Sequence, residues 1–194
     1  TKHIDGHGRL LGGAVLGKKA FIEDVFVSFY RQTGAAMSAF NAWVMLKSLE
    51  TLALRVEMQT RTATQLSENI KHHPAVLSLS YPGDQSHPQH ELASRQMSGS
   101  STLVAFEVKG GRTGAFQFLN ALGVIDISNN LGDSKTLACH PSSTTHMNLS
   151  EDERQMLEIN EGHIRLSVGL EHDDDLTADI QDALDLCRRI STWT

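Results

Sequence analysis

Cysteine is nearly absent from this sequence of 194 residues: there are two, Cys139 and Cys187, far apart in the chain. Two such thiols build no disulfide framework and suit a reducing compartment. Long hydrophobic runs are missing as well. The apolar run at the first tryptophan reaches only from Ala42 to Leu46, far too short to span a bilayer, and no signal-like segment shows. Positive charge also falls short. Lysine and arginine total 17 against 23 acidic residues, a net charge of −6, which argues against nucleic acid or an anionic membrane as the main partner. Ten histidines invite a metal, yet the patterns that metal sites favour are missing. His72 and His73 adjoin Pro74 at a helix end, His87 and His90 fall in a polar loop, and His140 and His146 flank a serine and threonine run. None of these pairs shows i, i+4 helical spacing or a companion pair of cysteines. There is no internal repeat and no low-complexity tract. Nor is there a starting methionine. The chain opens on Thr1-Lys2 and runs into Gly6, Gly8, Gly12 and Gly13. A lysine close to a natural terminus has little around it to shape its chemistry, so the expectation is that this stretch is the middle of a longer chain whose first half is missing.

What is present is a globular composition, 40% hydrophobic and 21% charged, with length for one large or two small domains and a substantial core. The run LLGGAVLG at 10–17 predicts a short buried strand whose glycines let the backbone pass close to something. Lys18 to Arg31 predicts an amphipathic helix ended by Gly34. Met45, Leu49, Leu52, Val56, Gln59, Ala63, Leu66 and Ile70 follow a 4-3-4-3 spacing, and seven of the eight are apolar. That stripe predicts one long helix from near Ser38 to just before Pro74, bridging two bodies or serving a subunit contact. Val76 to Tyr81 predicts a strand with Leu77, Leu79 and Tyr81 on one face, followed by a loop over Pro82 to Gln89. Leu103 to Val108 predicts a second strand, and Arg112 to Leu122 a helix stopped by Gly123. Val124 to Ile127 and His163 to Val168 predict two further short strands. Asp173 to Ile190 predicts a closing helix with Leu176, Ile180, Leu184, Cys187 and Ile190 on its apolar side. Its Asp173-Asp174-Asp175 start suits the positive end of the helix dipole better than an ion site. Short strands among helices, without a βαβ rhythm, predict an α+β domain from about residue 50 to the end.

Three places in the chain carry groups suited to chemistry. Lys2 reads either as a solvated surface lysine or as a Schiff-base lysine, which needs a depressed pKa and the close backbone approach that nearby glycines permit. Thr1 beside it offers a hydroxyl to a phosphate oxygen. In His163-Ile164-Arg165-Leu166-Ser167-Val168, the apolar Ile164, Leu166 and Val168 share one face, so Arg165 and Ser167 point to the other. An arginine in so apolar a strand needs an anion, either a structural carboxylate or a ligand carboxylate held by two parallel hydrogen bonds. The run from His140 to His146 is dense in small donors and reads as a capped loop ahead of a helix that Ser150 opens with Glu153 in a capping box.

These signals fall into one pattern. Thr-Lys-x-Ile-x-Gly-His-Gly at residues 1–8 resembles the cofactor-attachment motif of the Cys/Met-metabolism family of pyridoxal-phosphate enzymes, of fold-type I. The likeness continues through FNAWVMLKSLETLALR (40–55), HELASRQMSGSSTLVAFEV (90–108) and LGDSKTLACHPSSTTH (131–146), and ends in IRLSVGLE (164–171). DGHGR (5–9) and ISNNLGD (127–133) are most similar to its O-succinylhomoserine sulfhydrylase branch. The resemblance implies that Lys2 attaches pyridoxal 5'-phosphate as a Schiff base and later moves protons between substrate carbons. Thr1 would contact the cofactor phosphate. Arg165 would clamp the substrate α-carboxylate, and Asn130 would stand next to that carboxylate. Two positions depart from the pattern: His3 stands where many members carry an aromatic residue, and Asn130 where most have serine. An asparagine amide still donates.

Family members are considerably longer, with this lysine near mid-chain. The resemblance therefore implies an α/β fold in which residues 1–49 end the aspartate-aminotransferase-like cofactor domain. Residues 50–194 would form a complete C-terminal α+β domain with a small, mostly antiparallel sheet, and a long helix would join the two. It further implies a cytoplasmic homotetramer that forms homocysteine, for methionine biosynthesis, from an O-acylhomoserine and sulfide. Cystathionine γ-synthase and the methionine and cystathionine γ-lyases are sister activities sharing Lys2 and Arg165. A reading of another class makes the 194 residues an inactive, folded assembly module.

Overall fold

Val104, Phe106 and Val108 alternate with Leu103, Ala105 and Glu107, and the first three are buried. In the computed structural model, which describes residues 1–190 and their side chains through Cys187, this strand lies inside a five-stranded sheet. The strands are β1 (Val76–Ser80), β2 (Leu103–Val108), β3 (Asp126–Ile127), β4 (Leu137–Cys139) and β5 (His163–Ser167), in the spatial order β1-β2-β5-β4-β3. All pairings are antiparallel except β3 with β4. On β5, Ile164, Leu166 and the following Val168 are buried, as the alternation requires. Arg165 takes the opposite face, paired in register with Ala105 on one side and Cys139 on the other.

The helices are α1 (Val27–Thr33), α2 (Ala39–Leu49), α3 (Leu52–Ile70), α4 (His90–Gln96), α5 (Gly111–Ala121), α6 (Glu151–Met156) and α7 (Asp173–Ile190). α3 and α5 lie against β2, and α7 packs on both helices. Ala63, Leu66 and Ile70 of α3, Ala115 and Phe118 of α5, and Leu176, Ile180, Leu184 and Cys187 of α7 share one core with the sheet. Phe118 meets Phe106 edge to face at 5.4 Å. Each fully buried Leu, Ile or Phe contributes about 1.5–3 kcal/mol, so this three-helix cover holds the sheet. The closing helix agrees with its predicted bounds, although the side chain of Ile190 lies outside the described residues. The capping box of Ser150 and Glu153 is present at α6.

Several elements differ from the sequence pattern. Residues 10–17 form no strand: Leu10 is buried, but Leu11 and Leu16 are 80% and 92% exposed. A strand is a pairing, and no described strand lies beside this stretch. The long helix is two helices: α2 starts beside Ser38, near the predicted start, with the Ser38 side chain as its cap, and it is broken from α3 at Glu50–Thr51. In an unbroken helix the Ser48 carbonyl would accept from the Leu52 N–H; here it accepts from Arg55 at 3.0 Å and Thr51 N–H at 3.3 Å. The predicted 18–31 helix is present as a π-helical stretch, Phe21–Phe26, running into α1 and its left-handed Gly34. A bulge between Val76 and Ser78 puts Leu77 out of step with Leu79 and exposes it, as an extra residue reverses the alternation.

His90 opens α4 and is not in a loop. β3 is only the end of the predicted 124–127 strand, and β4 was not anticipated. Gly123 does not stop α5 in a left-handed conformation. The Asp179 carboxylate of α7 instead collects the N–H groups of Gly123, Val124 and Ile125 at 2.7–3.1 Å. Asp173, Asp174 and Asp175 do form the first turn of α7, with His172 beside the first two.

Candidate active site around Lys2

The Lys2 loop is a compact turn. The Gly6 N–H returns to the Lys2 carbonyl at 2.8 Å, and Gly6 and Gly8 take φ values of +66° and +63°, which favour glycine. Asp5 is fully buried at the centre of the turn. It accepts from the Arg9 N–H at 2.6 Å, the Leu10 N–H at 3.4 Å and Arg9 Nε at 3.2 Å. Burial alone would raise its pKa, but these donors and the Arg9 charge outweigh it and hold the carboxyl below its ordinary value. His3 docks the turn to the start of β2, its Nε2 lying 2.8 Å from Thr102 Oγ1. Burial, then the charge of Arg55, lowers the pKa of His3, which favours the neutral ring.

A second loop, between β3 and β4, meets the first. Ser134 N–H donates to the Gly6 carbonyl at 2.8 Å, and Gln59 of α3 donates to the Asp133 carbonyl at 2.7 Å. Gly132, at φ +73°, sits so close to His3 that any side chain would collide with its backbone N and ring. Its N–H donates to Ser167 Oγ of β5 at 2.8 Å. Asn130 occupies the crossing point. Lys2 Nζ donates to Asn130 Oδ1, and Arg165 Nη2 donates to the carbonyls of Asn129 and Asn130 at 2.9 and 3.3 Å. Lys2, Asn130 and Arg165, far apart in sequence, thus share one site.

Arg165 has no carboxylate partner in an ion pair among the described residues, and its Nε is buried with no acceptor. A buried unpaired donor costs about 1–3 kcal/mol. Its position on the face away from the core, with a donor still free, suits an incoming carboxylate. Thr1 is placed differently. Its hydroxyl accepts from the Gly12 N–H at 3.0 Å and lies 3.2 Å from the Gly12 carbonyl, so it braces the loop's exit. Sequence reasoning named Lys2, Asn130 and Arg165 but missed Asp5, Ser167 and Arg55 as the groups that hold them. An aspartate flanked by Ile4 and Gly6, and an arginine one turn ahead of the polar Gln59 in an apolar stripe, were the available signals.

Residues 1–185 match the Cys/Met metabolism PLP-dependent enzyme family. The chain belongs to this family. Within it, the chain is 49% identical over 188 residues to an O-succinylhomoserine sulfhydrylase of Mycobacterium tuberculosis, covering 95% of this chain and 46% of the relative. It is 41% identical to an L-methionine gamma-lyase of Porphyromonas gingivalis, covering 95% and 47%. Among solved structures, cystathionine gamma synthase of Xanthomonas oryzae pv. oryzae, in complex with aminoacrylate and cysteine, superposes with a TM-score of 0.92. It is 31% identical and matched over 97% of this chain and 49% of that one. The chain therefore spans about half the length of the family members it matches.

Proposed function

We propose that this chain supplies the cofactor lysine and the substrate-binding arginine of a pyridoxal-phosphate-dependent γ-replacement enzyme, an O-succinylhomoserine sulfhydrylase forming homocysteine from O-succinylhomoserine and sulfide. The observation that carries the reading is the convergence of Lys2 and Arg165 on Asn130, with Arg165 Nε buried and unpaired. When bound, pyridoxal phosphate supplies an electron sink for negative charge developing beside the substrate nitrogen. Lys2 is the attachment point, in a turn whose glycines let a flat ring approach, and its Nζ then carries protons between the substrate α- and β-carbons. Arg165 holds the α-carboxylate through Nε and an Nη, the paired geometry a guanidinium offers. Asn130 lends an amide to the same carboxylate. Thr1 contributes a phosphate contact once its hydroxyl turns from Gly12. Succinate leaves from the γ-carbon and sulfide takes its place.

The sulfhydrylase relative favours sulfide as nucleophile. Cystathionine γ-synthase and γ-lyase activities form the second reading, favoured by the relatives of those names, and feeding cysteine or no nucleophile in place of sulfide separates the three by product. The proposal extends to residues 1–49 as the end of a cofactor domain, to residues 50–194 as the C-terminal domain, and to a cytoplasmic homotetramer. No helix among the described residues is long and apolar enough to cross a membrane. Borohydride reduction of the full-length protein with pyridoxal phosphate, followed by peptide mapping, tests the centre of the reading. The label is expected on Lys2, and label on Lys18 or Lys19 overturns it.

A further inference from the structure

Arg55 makes four side-chain hydrogen bonds beside the Lys2 turn, and nothing in the chemistry above uses it. It is 5% exposed, and a buried charge is costly unless its donors are satisfied. All the acceptors it has are neutral. Nη1 donates to the His3 carbonyl at 2.9 Å, and Nη2 to the carbonyls of Ser48 at 3.0 Å and Ile4 at 3.5 Å. Nε donates to Thr51 Oγ1 at 3.2 Å. Two of these acceptors are the peptide groups directly after Lys2, and the other two belong to the junction between α2 and α3. The break in the helix is what frees the Ser48 carbonyl for this bond. Gly6 completes the fit, because a Cβ there would overlap Nη1 of Arg55. One planar fork therefore ties the Lys2 turn to the helix junction, a geometry that a lysine ammonium on a flexible stem does not reproduce.

We propose that Arg55 is a positioning residue for Lys2: by fixing the His3 and Ile4 carbonyls to the α2–α3 junction, it sets the Lys2 amine at Asn130, beside Arg165. The inference rests on the reading of Lys2 as the cofactor lysine. Arg55 touches neither substrate nor cofactor and acts through the two peptides it holds. A role confined to stabilising the helix junction predicts lower stability alone. A positioning role predicts altered capture and orientation of the cofactor by protein that is folded.

The test uses full-length protein freed of cofactor, with pyridoxal phosphate as the probe. Three variants are compared: Arg55→Lys, Gly6→Ala (whose Cβ displaces the guanidinium of an unchanged Arg55) and Thr51→Val. The last removes the one side-chain acceptor of Arg55 and leaves the Lys2 turn untouched. Two readouts are taken: the rate of borohydride-trappable capture at Lys2, and the visible circular dichroism per bound cofactor. Expected are at least a tenfold slower capture and loss of most of the dichroic band in R55K and G6A, with T51V within twofold of wild type. Folded R55K with wild-type capture and dichroism overturns the proposal. So does T51V falling as far as R55K, or failure of both R55K and G6A to fold, since each makes Arg55 a structural staple. Wild-type protein that takes no label at Lys2 overturns the reading beneath the proposal, and no variant is needed to see it.

Discussion

Arg165 carries a guanidinium with one buried N–H left without an acceptor, and that group decides a measurable outcome. Arg165→Ala in the full-length protein is expected to lower kcat/KM by about 2–4 kcal/mol in transition-state terms, the loss of a charged two-pronged contact. Labelling of Lys2 should persist, and Arg165→Lys should recover only part of the loss. Steady-state kinetics beside borohydride mapping checks it; an unchanged kcat/KM makes the residue structural. The face Arg165 occupies was legible in sequence because β alternation is a two-residue rule, and three apolar neighbours fixed its phase. Asn130 was legible only through the family motif, for no periodicity marks a loop asparagine. Arg55 and Asp5 left only faint signals, an arginine one turn ahead of Gln59 and an aspartate between Ile4 and Gly6. Each is buried among partners that are mostly backbone and have no letter in the sequence: Arg55 donates to the carbonyls of His3, Ile4 and Ser48, and Asp5 accepts from the N–H groups of Arg9 and Leu10.

Among the elements, those built from local pattern were the ones sequence reasoning placed well: β2, β5, α7 and the Ser150 cap depend on alternation, a stripe or a single side chain. The elements it misplaced depend on a partner. Residues 10–17 have strand composition and nothing described to pair with. The stripe from Met45 to Ile70 runs through a break that apolar spacing does not see, because Arg55 and Thr51 draw off the Ser48 carbonyl. β4 is three residues long and exists through its pairing with β5. The seating of α5 on the end of β2 is tight enough to test. A Cβ at Gly114 would overlap the Lys109 carbonyl oxygen, which is main chain and cannot swing aside. Gly114→Ala is therefore expected to destabilise the fold by about 1–3 kcal/mol despite the better helix propensity of alanine. Denaturant unfolding measures it, and a neutral or stabilising result would mean that α5 shifts freely on the sheet.

At the scale of the molecule, the apolar surface is uneven. Leu11, Leu16, Phe29, Phe40, Trp43, Leu46 and Leu54 are all exposed and all lie in the first third of the chain. The three-helix side of the sheet, by contrast, holds the shared core. With the chain spanning about half the length of its relatives, the 194 residues by themselves are expected to give no appreciable homocysteine from O-succinylhomoserine and sulfide, even with added pyridoxal phosphate. A colorimetric homocysteine assay on mass-verified protein checks this, and sustained turnover would refute it.

The strand order has a consequence in time. β5 lies at the centre of the sheet, between β2 and β4, but of the five described strands it is the last in chain order. A ribosome adding about 5–20 residues per second therefore leaves β2 with one open flank for several seconds while the roughly 60 residues up to the end of β5 are added. β4 waits a shorter while on the other side. The same delay divides the site: Lys2 is synthesised first, and Arg165 arrives only with the strand that closes the gap.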